Sequence, residues 1–157
     1  MTVLPRGDTA HPGDTPDPDG PIPPALRPLP TPTALTEGFW AAAREHRLVV
    51  QRCGDCGRLR HYPQERCPEC TSPAWHWSPV SGRGVVYTYT RSHKPFHPAW
   101  ADAAPYVVAT VELDEGVRMV SDLPPEDTDR VQIGSPVEVF FDDLPGTEVT
   151  LPRFRLT

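Results

Sequence analysis

The chain has 157 residues, a formal net charge of −6 and 22 prolines, and 38% of its residues are hydrophobic. That length suits one domain or two small ones. The acidic balance argues against a nucleic-acid partner, whose phosphates are met mainly by Lys and Arg, and no apolar run approaches the ~20 residues of a membrane span.

The first residues, Met1-Thr-Val-Leu-Pro-Arg6, show no basic start followed by an apolar core, so no secretory signal is expected. A cytoplasmic chain with reduced thiols follows as the expectation. Residues 1–36 are rich in Pro, Asp, Thr and Gly. The runs Pro16-Asp-Pro-Asp-Gly-Pro21 and Pro28-Leu-Pro-Thr-Pro32 suit neither helix nor central strand. With few apolar side chains to offset ordering entropy, this stretch reads as a disordered or polyproline-like tail. A docking peptide for a partner is the alternative.

Residues 37–50 read as a helix and a lead-in strand. Thr36 is the candidate N-cap and Glu37 suits the positive end of the helix dipole. Phe39 and Trp40 are two large aromatics on a short helix. Either they pack on the rest of the chain, or they plug into a partner subunit, since such residues favour interface cores.

Residues 51–78 carry all four cysteines, as Cys53-Gly-Asp-Cys56 and Cys67-Pro-Glu-Cys70. Each Cys-x-x-Cys bends the backbone so that two sulfurs point at one centre. Two such knuckles build a closed tetrahedral thiolate shell, which suits structural Zn²⁺. In a reducing compartment, paired cysteines bind metal more often than they form disulfides. Iron in a rubredoxin-like site takes the same ligands, and zinc is the commoner occupant. Leu48-Val-Val-Gln-Arg52 leads into the first knuckle, residues 58–62 lead out, and Trp75-His-Trp77 adds a third strand. With four cysteines present, neither His61 nor His76 is expected to bind metal.

Residues 79–157 switch to a period of two. Val85, Tyr87 and Tyr89 share one face of a first strand, and Val107, Ala109, Val111 and Leu113 share one face of a second. Asp114-Glu-Gly116 signals a hairpin into a third strand over residues 117–123. A connector follows, with Val131 and Ile133 expected to pack inward. Val137, Val139 and Phe141 mark the fourth strand, and residues 147–154 the last. Five strands with a break after the third match a small Greek-key barrel of the OB type. The expected fold is therefore mainly β: an N-terminal helix, a rubredoxin-like zinc ribbon, then a five-stranded OB barrel.

The loop Ser92-His-Lys-Pro-Phe-His-Pro-Ala-Trp100 joins the first two barrel strands. It lacks a nucleophile with a positioned base, so a catalytic role is not expected. His93 and His97 flank Pro95, which is unlike a helical pair. Lys94, Phe96 and Trp100 suit contact with a protein partner or with a nucleotide ring and its phosphates. The plain alternative is a loop folded onto its own barrel.

An ordered set of motifs carries a resemblance. It runs from Phe39-Trp40 through Leu48-Val-Val-Gln-Arg-Cys53 and Cys67-Pro-Glu-Cys70 to Ser81-Gly-Arg-Gly84. It continues with Val111-Glu-Leu-Asp-Glu-Gly116, Ile133-Gly-Ser-Pro-Val137 and Pro152-Arg-Phe154. Over about residues 37–157 the chain resembles the zinc-ribbon and OB-fold proteins called domain of unknown function 35. Thr71-Ser72 departs from the pattern, where a Gly is common after the second knuckle. The resemblance implies a non-catalytic accessory subunit of a thiolase-fold acyl-CoA enzyme. Such partners include thiolases and lipid-transfer-type aldolases that shorten steroid side chains, and some members join hot-dog-fold hydratases. Under this reading Cys53, Cys56, Cys67 and Cys70 hold zinc. Phe39, Trp40, Lys94, Phe96 and Trp100 are the candidates for contact with the partner or with a shared CoA thioester.

The competing reading is an OB-fold nucleic-acid module, which combines a basic groove with stacking aromatics. Tyr87, Tyr89, Phe96 and Trp100 supply the aromatics, but the acidic balance runs against it. Freshly purified protein is expected to carry about one zinc per chain by elemental analysis, and a Cys53→Ser variant is expected to lose the metal and misfold.

Overall fold

The computed structural model describes residues 28–157. The tail expectation for residues 1–27 lies outside the described residues. Residues 33–36 form a turn onto the first helix, with Thr36 and Glu37 N–H groups donating to the Thr33 carbonyl at 2.9 and 2.8 Å. Pro30 and Pro32 line a small cleft together with Trp40 and Arg44. No described helix is long and apolar enough to cross a membrane.

Helix α1 spans Glu37–Arg44. Thr36 occupies the N-cap position but its side chain does not cap the helix; its hydroxyl accepts from Thr33 N–H at 2.9 Å instead. Three strands form the ribbon sheet: β1 (Val49–Cys53), β2 (Leu59–Arg60) and β3 (Trp75–Pro79), in the order β2-β1-β3. Trp77 of β3 presses on α1 where Gly38 lacks a side chain. A Cβ there would sit 2.0 Å from the indole nitrogen, so glycine sets the closeness of helix and ribbon.

Five strands form the barrel: β4 (Arg83–Ser92), β5 (Tyr106–Leu113), β6 (Arg118–Asp122), β7 (Pro136–Asp143) and β8 (Thr150–Leu156). They pair antiparallel in the order β6-β5-β4-β7-β8. The remaining seam, between β6 and β8, is closed by side chains. Arg153 of β8 donates to Asp122 of β6 at 2.6 and 2.8 Å and to Asp142 of β7 at 2.9 Å. Partial burial pushes the Arg153 pKa down, but the Asp122 and Asp142 carboxylates together prevail and raise it. Asp127, nearly inaccessible to solvent, accepts from Leu156 N–H at 2.8 Å. The expected five-stranded OB-type barrel is therefore present and nearly closed.

Alternation predicts the inner face well on β5, where Val107, Ala109, Val111 and Leu113 are all buried. On β4 it does not. Val86 is fully buried, whereas Val85 and Tyr87 are exposed. The strand register shifts between Val86 and Thr88, so Tyr87 is the extra residue of a bulge. After the bulge Tyr89 turns toward the core. The Arg118 guanidinium lies 3.4 Å over the Tyr87 ring on the outer face. The connector also differs from expectation. Val131 is buried, but Ile133 is 71% exposed, because it sits in the turn whose Gly134 N–H donates to the Val86 carbonyl at 2.8 Å.

One apolar cluster runs through both parts, joining Phe39, Leu48, Val49 and Val50 to Val86, Val111, Val137 and Phe154. The link between ribbon and barrel is fixed as well. Val80 N–H donates to the Leu48 carbonyl at 3.1 Å, and Ser81 N–H to Glu115 Oε1 at 2.6 Å. Partial burial pushes the Glu115 pKa up, but the Ser81 bond outweighs it and holds the carboxyl below its usual range. At the far end of α1, His46 bonds Asp143 of β7 at 3.0 Å and stacks on Phe141.

Gly84 permits β4 to cross β5 closely: a Cβ there would lie 2.2 Å from the Glu112 carbonyl oxygen. Gly84→Ala is expected to cost about 3 kcal/mol in denaturant unfolding, the upper range for overpacking, while Ile133→Ser is expected to stay within about 0.5 kcal/mol.

Candidate metal centre and exposed barrel loop

The two knuckles are built on the same plan. In the first, Cys53 ends β1, its N–H donates to the Arg58 carbonyl at 2.9 Å, and Gly57 N–H returns to the Cys53 carbonyl at 3.1 Å. In the second, Cys67 N–H donates to the Ser72 carbonyl and Thr71 N–H to the Cys67 carbonyl, each at 2.9 Å. Gly57 has φ of 73° and Thr71, its counterpart, 61°. A β-branched residue in that region is strained by roughly 1–2 kcal/mol. Gly54 N–H donates to the Ala74 carbonyl at 2.8 Å, which ties the knuckles together.

The four sulfurs lie within 4.8 Å of one another. Cys53 and Cys70 Sγ are 3.6 Å apart, as are Cys56 and Cys67 Sγ. Disulfide sulfurs would be about 2.05 Å apart. Four thiolates at ~2.3 Å from one tetrahedral ion would be about 3.8 Å apart. The donor set therefore fits Zn²⁺ with every coordination position filled by the chain. His61 and His76 are not in the cluster.

The electrostatics agree with that shell. Backbone N–H groups of Cys56 and Asp55 help lower the Cys53 pKa to about 6, against burial. The Cys70 N–H does the most to lower the Cys67 pKa. For Cys70, the Ser72 N–H favours the thiolate, but burial and the three nearby sulfurs together drive the thiol up to about 12. Cys56 is also raised: the Arg58 N–H lowers it, while burial and the Cys53 and Cys67 sulfurs prevail. The backbone N–H groups favour the thiolate at Cys53 and Cys67, and a cation bound among the four sulfurs would favour it at Cys56 and Cys70 as well.

The other expected contact residues divide between two places. Phe39 is buried, edge-on to Trp40 at 5.0 Å and tilted on His61 at 5.4 Å. It belongs to the chain's own core cluster. Trp40 is half-buried and lines a small cleft with Pro30, Arg44 and Val149. Beside it an open groove of about 460 Å³ is lined by Arg44, Asp143, Thr147 and Glu148. Sequence reading missed this groove, because Arg44 of α1 meets the β7–β8 connection only in the folded chain.

Lys94, Phe96 and Trp100 share the loop between β4 and β5, outside the ribbon. Lys94 is exposed, Phe96 is 87% exposed, and Trp100 is half-buried, edge-on to His97 at 5.7 Å. His97 Nδ1 accepts from Ala99 N–H at 3.1 Å and caps the 3-10 helix Pro98–Ala103. That is a structural use of a histidine in a loop for which the sequence suggested no catalytic role.

Comparison with known proteins places both halves. Residues 40–76 match the family model described as the ChsH2 rubredoxin-like zinc ribbon domain, and residues 77–142 match the ChsH2 C-terminal OB-fold domain. The chain is 44% identical over 133 residues to a probable enoyl-CoA hydratase alpha subunit of Thermomonospora curvata. That match covers 85% of this chain and 41% of the relative, so the chain spans less than half of that protein. A DUF35 domain-containing scaffold protein of Methanothermobacter thermautotrophicus is 34% identical over 99 residues, 62% of this chain and 74% of the relative. Among solved structures, the chain resembles one in an Ltp2-ChsH2(DUF35) aldolase with 42% identity and a TM-score of 0.71, covering 82% of this chain and 98% of that one.

Two outcomes follow from this geometry. Thr71→Gly is expected to raise thermal stability by about 1 kcal/mol by relieving the positive φ, with metal content unchanged. His61 carries the pH dependence: burial lowers its pKa from 6.5 to about 4. The folded state therefore favours the neutral ring, and its contribution is complete above pH 6.5. It is lost as pH falls from 6.5 toward 4 and levels off below. The expected size is about 2–3 kcal/mol, read as a flatter pH–stability curve in His61→Phe.

Proposed function

The chain belongs to the ChsH2 zinc-ribbon and OB-fold (DUF35) family, and from that premise we propose that it is a non-catalytic accessory subunit of an acyl-CoA enzyme. Its partner in this reading is a thiolase-fold protein, a thiolase or a retro-aldolase acting in steroid or lipid side-chain metabolism. A hot-dog-fold hydratase is a further possible member of the same assembly. The chain braces the partner and lends a wall to its CoA-thioester site. The observation that carries the proposal is the 42% identity to a chain solved as part of an aldolase, over 98% of that chain.

The geometry supports a bracing role. The zinc shell has no open position, so the metal holds the fold and leaves substrate alone. Ribbon, helix and barrel share one apolar cluster. The link between them is bonded to the ribbon at Val80 and to the barrel at Ser81.

Coexpression with the Ltp2-like subunit of the same organism tests the proposal. A stable complex is expected, with CoA-thioester cleavage present in the complex and absent from this chain alone. Failure to co-purify, with partner activity unchanged by this chain, would defeat the reading.

A further inference from the structure

Phe96 is the most exposed large apolar residue of the described chain, at 87%. Its loop is not loosely built. Both ends are clamped by the Ser92–Tyr106 pair across β4 and β5. Ala99 is fully buried beneath it. His97 caps the following 3-10 helix, and Phe96 N–H reaches the Tyr106 hydroxyl at 3.4 Å. Pro95 precedes Phe96 and Pro98 follows two residues later, so the backbone beside the ring has little freedom left to lose. A phenyl ring held out from a pre-ordered loop is the form of an interface anchor.

Charge indicates the chemistry of what it meets. Residues 80–157 hold seven Lys or Arg and twelve Asp or Glu, a net of −5. The loop between β4 and β5, residues 93–105, holds one cation, Lys94, and one acid, Asp102. Lys94 has no ion pair among the described residues. The ring thus stands two residues from a cation with no ion pair among the described residues, on an otherwise acidic barrel. A second copy of the same barrel would present like charge over most of its surface, which disfavours self-association.

We propose that Phe96 is the anchor by which this chain docks a protein partner, seated in an apolar pocket whose rim carries carboxylates that meet Lys94. The proposal rests on the accessory-subunit reading and specifies which surface does the binding. Phe96 supplies affinity by leaving water, and Lys94 supplies orientation and association rate. Trp100 braces the loop from its half-buried position.

The test uses the full chain and the Ltp2-like subunit, with binding followed by surface plasmon resonance. Phe96→Ala is expected to weaken the dissociation constant at least ~30-fold, the loss typical of an anchor residue. Phe96→Leu should recover part of it. Lys94→Glu should slow association several-fold and remove most of its salt dependence. Thermal midpoints of all three should match the wild type, because the two side chains are exposed. A wild-type complex that Phe96→Ala leaves intact overturns this proposal and spares the accessory reading. Absence of any wild-type complex overturns both. A Phe96-dependent dimer in sedimentation, or Phe96-dependent binding to anionic phosphatidylserine vesicles with the complex unaffected, also overturns it.

Discussion

Four sulfurs held 3.6 to 4.8 Å apart cannot all be negative without a cation among them. That constraint governs the N-terminal half of the molecule. The ribbon sheet is small: β2 has only two residues, and β3 pairs with β1 alone. Sheets of this size are marginal in water without a further staple. The two knuckles supply it by drawing the chain before β2 and the chain before β3 onto one centre. Gly54 N–H bonded to the Ala74 carbonyl repeats the link outside the metal shell.

From that staple the rest follows by contact. With β1 fixed, Leu48, Val49 and Val50 present a wall to the barrel core. Helix α1 then closes on Trp77 through Gly38 and sends Phe39 inward. The Arg60 guanidinium is held in the ribbon by Gln51 Oε1 at 2.8 Å and the Gln64 carbonyl at 3.0 Å. The barrel brings its own closure, in which Arg153 joins three strands through two carboxylates. The outcome is one apolar cluster shared by helix, ribbon and barrel, with the four-cysteine site at its ribbon end.

Much of this was legible in the residues, for physical reasons that can be named. The cysteine spacing disclosed the four-sulfur cluster because the ligand geometry leaves few other uses for two such pairs. The alternation on β5 disclosed its inner face because that strand is regular from end to end. The β4 face was not legible, since a bulge at Tyr87 shifts the period without leaving a sequence mark such as Gly or Pro at the site. Ile133 was misread because an apolar residue in a turn follows the turn's geometry and not the strand's. Phe39 and Phe96 look alike as sequence, yet one is packed beneath His61 and the other stands in water. Only the neighbours in space separate them. The bonding roles of Arg153, Glu115 and Asp127 were not legible, because each acts on an element far from it along the chain.

The account rests on an ion enclosed by sulfur alone, and X-ray absorption at the metal edge of the purified full chain addresses it most directly. The expected spectrum shows four sulfur neighbours at about 2.3 Å and no light-atom ligand. A first shell containing nitrogen or oxygen, or a sulfur spectrum showing disulfide in place of metal-bound thiolate, would contradict it.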